Sequence, residues 1–260
     1  MIEYPKIDPE IVKIGPFSIR WYGLMYLFGF LSSYLLTIHQ IKKNYAWIKR
    51  EAIENLYFYL ILGLIIGARL GYIIFYNLQF YLKHPLEIFM LWHGGMSFHG
   101  GLIGAIIAGY IFMKKENIPF FLIADIIIPS CPIGLGLGRI GNFINGELYG
   151  RVSDLPWAMI FPRGGDFPRH PSQLYEAFFE GFLLFVILWL YKDKKRFDGD
   201  LFTLFLIFYG VFRTFCEFFR EPDGSLILSF FTKGQILSIL MIITGIFLRY
   251  YLKKSQAKEI

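Results

Sequence analysis

Residues 122–151 read "LIADIIIPSCPIGLGLGRIGNFINGELYGR", and the two halves of this stretch differ sharply in composition. The first half is almost wholly apolar, with Asp125 as its one ionisable residue. The second half, 136–151, holds two arginines, two asparagines, a glutamate and five glycines. A helix that crosses a bilayer needs about 20 predominantly apolar residues. The stretch therefore predicts a membrane-spanning helix that ends in a polar, glycine-rich segment.

The composition of the whole chain extends this interpretation. Its 260 residues are 55% hydrophobic and 18% charged, whereas about a quarter of a typical soluble domain is charged. The apolar residues occur in long runs, which predicts an all-α, polytopic membrane helical bundle. A net charge of +6 would suggest nucleic acid as a partner of a soluble protein. Here the basic residues lie in short runs between apolar segments, so no nucleic-acid partner is expected.

Seven segments are long and apolar enough to be read as spans, and together they predict a single integral membrane domain over residues 1–260. The stretch 141–171 is expected to form a small external head region. The predicted spans are 20–39, 55–76, 97–114, 119–140, 172–191, 200–219 and 233–252.

Charge in the connecting loops predicts the orientation. Basic runs follow the first, third and fifth spans and close the chain, whereas the other loops are mixed or nearly neutral. Cytoplasmic loops carry an excess of Lys and Arg, so the N-terminus is expected outside and the C-terminus in the cytoplasm. The first fifteen residues lack the basic start and apolar region of a cleavable signal peptide, so the first span is expected to be retained.

With this orientation, six of the seven spans bring polar groups toward the outer leaflet. Charges at membrane depth are costly, and by default they mark a functional site that faces the bundle interior. A single arginine such as Arg69 would be expected to reach lipid headgroups with its long side chain, but so many polar groups on one side favour a site. The polar positions are Arg20, Tyr22, Arg69, 93–101, Arg139, Asn142, Asn145, Glu147, 169–176, Arg213, Glu217 and Arg220.

Arginine indicates the kind of ligand. Its planar guanidinium binds phosphate through two parallel hydrogen bonds and stays charged. Several arginines around a cavity in the outer leaflet therefore predict an anionic ligand, and a phospholipid headgroup is the obvious candidate. The alternative is a structural network in which Arg213 pairs with Glu217 and Arg139 pairs with Glu147.

Glycine patterns in two spans favour helix packing. Residues 136–141, "GLGRIG", match the glycine spacing of dinucleotide-binding loops, but no strand–turn–helix unit surrounds them. These glycines are expected instead to let helices approach closely or to loosen the helix end. Gly63, Gly67 and Gly71 form a similar stripe of small residues.

The segment "HGGMSFHGG" (93–101) raises two catalytic alternatives. Ser97 could be the nucleophile of an intramembrane serine protease, but His99 is only two residues away and poorly placed to be its base. His99 as a lone general base is favoured, because a free imidazole titrates near neutral pH. A metal site is not expected, since the histidines lack a ligand spacing such as H-x-x-x-H.

Five blocks of sequence resemble the prolipoprotein diacylglyceryl transferase family. They occur in the family's order and extend over nearly the whole chain, and "GRxGNFxNxExxG" is the family's specific signature. The blocks are "WYGLMYLFGF" (21–30), "GGMSFHGGLIG" (94–104), "GRIGNFINGELYGR" (138–151), "RHPSQLYE" (169–176) and "YGVFRTFCEFFREPD" (209–223).

The resemblance implies an enzyme of the bacterial cytoplasmic (inner) membrane with seven spans and a site toward the outer leaflet. Such an enzyme transfers the sn-1,2-diacylglyceryl group of phosphatidylglycerol to the lipobox cysteine thiol of a prolipoprotein signal peptide, and it releases glycerol phosphate. Phosphatidylglycerol, the prolipoprotein and membrane lipids are the implied partners, and no metal or organic cofactor is implied. A phospholipid transporter remains an alternative, although it would need polar residues in the inner half of the spans as well.

The family's functional positions match this chain in residue type. Arg139 and Arg213 are expected to stabilise the leaving phosphate, and His99 to take the thiol proton. The other positions would orient the headgroup or the arginines, and Arg20 is assigned no role. The implied catalytic residues are His99, Arg139, Arg213, Tyr22 and Glu147, and the implied substrate-binding residues are Arg139, Asn142, Gly150, Glu217 and Arg220.

Overall fold

The computed structural model describes residues 2–5, 7–15, 17–222 and 231–257, and this part of the chain is mainly helical. A short antiparallel hairpin of β1 (Glu10–Ile14) and β2 (Phe17–Arg20) precedes the helices. Ten α-helices follow within the described residues, numbered in chain order. They are α1 (Trp21–Asn44), α2 (Arg50–Tyr76), α3 (Leu78–Lys83), α4 (Phe98–Glu116), α5 (Phe120–Ile127), α6 (Cys131–Ile144), α7 (Ser172–Glu176), α8 (Leu184–Tyr191), α9 (Asp200–Glu217) and α10 (Lys233–Gln256).

Two of the predicted spans are continuous but not regular. The 3₁₀ turn Ile128–Ser130 joins α5 to α6, and Pro129 and Pro132 lie in and just after it. Proline cannot donate a backbone hydrogen bond and so disturbs the α-helical ladder at this point. The π-helical stretch Ala177–Leu183 joins α7 to α8. Such π turns inside helices occur often at functional sites.

Five helical stretches of the described chain are long and apolar enough to cross a membrane, which confirms the all-α, polytopic membrane fold. The predicted spans 97–114 and 200–219 also coincide with helices, α4 and α9, but neither is among the five. The seven-span count and the direction of the termini stay predictions. The five stretches are Trp21–Asn44, Arg50–Tyr76, Phe120–Ile144, Ser172–Lys194 and Lys233–Gln256.

Contacts between residues divide the chain into two compact units. The first unit comprises Met1–Thr37 and Ala124–Ile260, and the second unit comprises Ile38–Ile123. The prediction of a single membrane domain stays a prediction.

In the second unit, α2 and α4 meet along the predicted glycine stripe. A Cβ atom added at Gly67 would lie 2.3 Å from the carbonyl oxygen of Gly100, and one added at Gly63 would lie 2.5 Å from that of Gly104. Gly71 makes a similar approach, with a Cβ position 2.7 Å from the Cα of Gly100. The two backbones are therefore in direct contact, which confirms the helix-packing interpretation.

Arg69 of α2 does not reach outward, contrary to the expectation for a single arginine. Its side chain is buried, and it donates hydrogen bonds to backbone carbonyls within the segment 87–95. Its guanidinium also lies over the ring of Tyr81, 5.0 Å from the centroid. The segment 77–96 was expected to be a loop; it contains α3 and two 3₁₀ turns, and Arg69 supplies donors for carbonyls that these short helices leave free.

In the first unit, Asp125 fixes the start of α9. Its carboxylate accepts hydrogen bonds from the backbone N–H groups of Gly199, at 2.8 Å, and Phe202, at 2.9 Å. Lys195 Nζ lies 3.6 Å from the same carboxylate. Asp125 thus satisfies donors that the first turn of a helix leaves without partners.

We predict that Gly67→Ala destabilises the α2–α4 pair. The added methyl group would overlap the backbone of α4, and such overpacking costs about 1–3 kcal/mol. The apparent melting temperature in detergent should fall clearly. Gly109→Ala is the matched control, because its Cβ would meet only the flexible end of Leu60, at 3.2 Å. Equal melting temperatures for the two variants would contradict the close approach.

Candidate functional site

A contact between two glycines positions the arginine of the signature segment. A Cβ added at Gly181 of the π-helical stretch would lie 2.6 Å from the Cα of Gly136 on α6. One added at Gly136 would lie 3.0 Å from the Cα of Gly181. The two backbones touch one turn before Arg139, which places the guanidinium beside the carboxylates of Glu176 and Glu180.

Glu176 is shared by three arginines. Its Oε2 lies 2.8 Å from Nε of Arg139, and its Oε1 lies 3.0 Å from Nη1 of Arg213. The same Oε1 lies 3.2 Å from Nη1 of Arg220, which donates a hydrogen bond to it. The side chain of Glu176 is only 1% exposed, so these charges interact with little screening by water. One buried carboxylate therefore orients all three arginines.

Glu180 and Glu217 complete this cluster. Glu180 lies 3.6 Å from Nη2 of Arg139 and 3.5 Å from Nη1 of Arg213. Glu217 lies 2.8 Å from Nη2 of Arg213 and accepts a hydrogen bond from the Thr232 hydroxyl, also at 2.8 Å. The Arg213–Glu217 pair agrees with the structural network considered from sequence. The arginine–glutamate cluster, defined as Arg139, Arg213, Arg220, Glu176, Glu180 and Glu217, has three positive and three negative formal charges.

Glu147 lies in a turn held by asparagines, and its described side-chain contacts do not include the arginine–glutamate cluster. Its Oε1 accepts hydrogen bonds from Nδ2 of Asn142, at 2.9 Å, and Nδ2 of Asn145, at 3.0 Å. Gln173 at the start of α7 donates to the backbone carbonyl of Glu147 at 2.6 Å. The pairing of Arg139 with Glu147 considered from sequence is therefore wrong, because Glu176 takes that place.

Tyr22 packs against the end of α6. A Cβ added at Gly141 would lie 2.9 Å from Cδ2 of the Tyr22 ring, and the Tyr22 hydroxyl forms a 3.1 Å hydrogen bond with Tyr26. Tyr22 thus lies against Gly141, which stands between Arg139 and Asn142 in the sequence.

Gly150 places Arg220 by a close backbone approach. The two residues form an antiparallel bridge, and the N–H of Gly150 donates to the carbonyl of His170 at 2.9 Å. A Cβ at Gly150 would lie 2.4 Å from the carbonyl oxygen of Phe219 and 2.6 Å from Cβ of His170. The absence of a side chain at Gly150 therefore lets the segment that carries Arg220 lie against residues 150 and 170.

His170 packs its ring against Phe219, with centroids 5.2 Å apart. Partial burial lowers the pKa of His170, since desolvation disfavours the charged imidazolium. Burial therefore favours the neutral imidazole over the imidazolium at this position.

A cavity of about 300 Å³ opens beside the asparagine-held turn. Glu147 brings a carboxylate to it, and Arg163 and the Arg20–Glu10 ion pair, at 2.8 Å, bring further charged groups. The lining residues are Pro9, Glu10, Arg20, Asn145, Glu147 and Arg163.

The structure brings most of the predicted site residues together in the first unit. These residues are Tyr22, Arg139, Asn142, Glu147, Gly150, Arg213, Glu217 and Arg220. His99 lies near the start of α4 in the second unit, and its side chain lies outside the described residues, so its role stays a prediction. Ser97 is buried, and its hydroxyl accepts a hydrogen bond from the N–H of Gly100 as the N-cap of α4.

The sequence interpretation missed Glu176 and Glu180 as individual residues. A signal was present, because two carboxylates four residues apart in an apolar span share one helical face and are costly to bury without partners. In the sequence, Glu176 stands out only as the last residue of the block "RHPSQLYE". Chemically, the cluster offers fixed guanidinium donors in a buried setting, which suits a phosphate group.

Comparison with known proteins gives consistent matches along the chain. The family model described as prolipoprotein diacylglyceryl transferase matches residues 9–251. The phosphatidylglycerol–prolipoprotein diacylglyceryl transferase of Geobacter sulfurreducens is 49% identical over 247 residues, covering 94% of this chain and 95% of that protein. The proteins of that name from Francisella tularensis subsp. mediasiatica and Desulfotalea psychrophila are 52% and 51% identical, over 94% and 95% of this chain and over 93% and 94% of their own lengths.

We predict that Gly150→Ala lowers both stability and activity. The added methyl group would overlap backbone on two sides, cost about 1–3 kcal/mol and displace Arg220 from Glu176. The melting temperature in detergent should fall. Gly138→Ala is the matched control for stability, because nothing lies within 4 Å of its Cβ position. A Gly150→Ala protein as stable as Gly138→Ala would show that the segment has room for the methyl group.

Proposed function

The chain belongs to the prolipoprotein diacylglyceryl transferase family, and we propose that it transfers the sn-1,2-diacylglyceryl group of phosphatidylglycerol to the lipobox cysteine of a prolipoprotein. In this reaction the cysteine sulfur forms a bond to the terminal glycerol carbon of the diacylglyceryl group. The bond between that carbon and the phosphate oxygen breaks, and its electron pair leaves with glycerol phosphate. The observation that carries the proposal is the set of three arginines held by Glu176.

The arginines are placed to act on the phosphate. Negative charge grows on the leaving phosphate as the C–O bond breaks, and donors that are already oriented lower the barrier without reorganisation. Arg139 is the most accessible of the three, with 20% of its side chain exposed, against 13% for Arg213 and 5% for Arg220. Arg139 and Arg213 therefore bind the phosphate, while Arg220 supports the cluster from its buried position.

The nucleophile comes from the second substrate. A free cysteine thiol has a pKa near 8.5, so only a few per cent is thiolate at neutral pH, and the reaction needs a base. His99 takes this proton. The arginines nearest the phosphate also favour the thiolate over the thiol.

The residues around Glu147 bind the headgroup glycerol. Oε1 of Glu147 is fixed by two asparagine amides, and Glu147 lines a cavity whose volume of about 300 Å³ accommodates a small polyol. Tyr22, whose ring packs against Gly141 between Arg139 and Asn142, orients the headgroup between the cavity and the phosphate.

We place the enzyme in the bacterial cytoplasmic membrane, with seven spans and its site toward the outer leaflet. The basic runs between predicted spans support this orientation.

Of the two alternatives considered from sequence, the protease is disfavoured by Ser97, whose buried hydroxyl caps α4. No specific observation on the described residues favours the phospholipid transporter.

We predict that Arg139→Ala and His99→Ala each lower the transfer rate by about 100-fold or more, the usual cost of removing one transition-state donor or a general base. The assay follows radiolabelled phosphatidylglycerol into a lipobox peptide. Arg50→Ala is the control, because Arg50 is exposed and forms an ion pair with the exposed Glu54 at the start of α2. Full activity of Arg139→Ala would contradict the phosphate role. Cleavage of the lipobox peptide that is lost in Ser97→Ala, with unchanged folding, would favour the protease instead.

A further inference from the structure

Glu180 differs from Glu176 in the way it meets the arginines. Glu176 makes contacts of 2.8–3.2 Å, whereas Glu180 lies 3.5 Å from Arg213 and 3.6 Å from Arg139. Glu180 is fully buried, and its Oε2, like Oε2 of Glu176 and of Glu217, receives no hydrogen bond from the residues that the structure describes. A buried carboxylate oxygen without a hydrogen bond is costly, so packing alone does not account for the residue.

The local backbone also distinguishes Glu180. It lies in the middle of the π-helical stretch, next to Gly181, which contacts Gly136 of α6. The π turn and the glycine contact together place this carboxylate against the two arginines that the proposed function assigns to the phosphate.

The charge of the reacting phosphate changes during the proposed reaction. Phosphatidylglycerol is a phosphodiester with one negative charge, whereas glycerol phosphate is a monoester with about −1.5 to −2 charge at pH 7, because its second pKa is near 6. Arginines that stabilise the growing charge will therefore hold the product more tightly than the substrate. Tight retention of product would limit turnover.

We propose that Glu180 is a positioning residue that offsets the charge of Arg139 and Arg213, so that the site releases the phosphate monoester after transfer. With Glu180 in place, the formal charges of the arginine–glutamate cluster cancel, and the phosphate competes with a fixed carboxylate for the guanidinium groups. This inference rests on the proposed function.

The test is the isosteric substitution Glu180→Gln, assayed with phosphatidylglycerol and a lipobox peptide. Removing one negative charge should strengthen inhibition by sn-glycerol 1-phosphate by about tenfold or more, given the strength of charge interactions at short range. The KM for phosphatidylglycerol and kcat should both fall, while kcat/KM changes little. Isothermal titration with sn-glycerol 1-phosphate measures the same tightening without turnover.

Glu221→Gln is the matched control, because it removes a carboxylate that is 49% exposed and pairs with Arg169. Its inhibition constant should equal that of the wild type. An unchanged inhibition constant in a folded Glu180→Gln protein, or a raised KM with normal product binding, would overturn the inference. Absence of label transfer by the wild-type protein would instead contradict the proposed function itself.

A second variant covers the case in which Glu180→Gln does not fold. Glu180→Asp keeps the charge but moves it away from both arginines by one methylene group. Its inhibition by sn-glycerol 1-phosphate should be stronger than that of the wild type. Inhibition equal to that of the wild type would overturn the inference.

Discussion

The carboxylate of Glu176 links three parts of the chain that are far apart in sequence. It contacts Arg139 at the end of α6, Arg213 on α9 and Arg220 just after α9. Three arginines close together would repel one another strongly in a buried setting, and a single carboxylate between them removes much of that cost. The positions of α6, α7 and α9 in the first unit therefore depend on the same contact that orients the proposed phosphate donors.

Glycine contacts make this arrangement possible. Gly136 and Gly181 let α6 touch the π-helical stretch, and Gly150 lets the Arg220 segment lie against His170. Small residues matter more in a membrane than in water, because lipid chains are as apolar as the side chains and give helices little hydrophobic reason to associate. Close backbone packing brings the arginines within reach of the carboxylates, and the ion pairs then fix the distance.

The sequence predicted the helices well, because a long apolar run has few alternatives in a bilayer. It also predicted that charged groups from separate spans would meet, as Arg139 and Arg213 do at Glu176, since costly charges in several spans need a common environment. The sequence did not predict which glutamate pairs with Arg139. Arg139 has a glutamate eight residues away at Glu147, but the turn at 145–148 directs that carboxylate to asparagines, and the partner comes from the next predicted span. An ion pair between two helices depends on how those helices pack. The spacing of residues within one segment does not specify that packing.

The arginine–glutamate cluster has to stabilise the transition state and also release the product, and these two functions require different net charges. The transition state of C–O cleavage needs strong positive charge at the phosphate, and the same charge holds the departing monoester. Fewer arginines would ease release but would also weaken stabilisation of the growing charge. Buried carboxylates offer another solution, because they set the net charge of the site while the guanidinium donors keep their direction. Glu176 mainly orients the guanidinium groups, through short contacts. Glu180 mainly reduces the net positive charge of the site, through longer contacts.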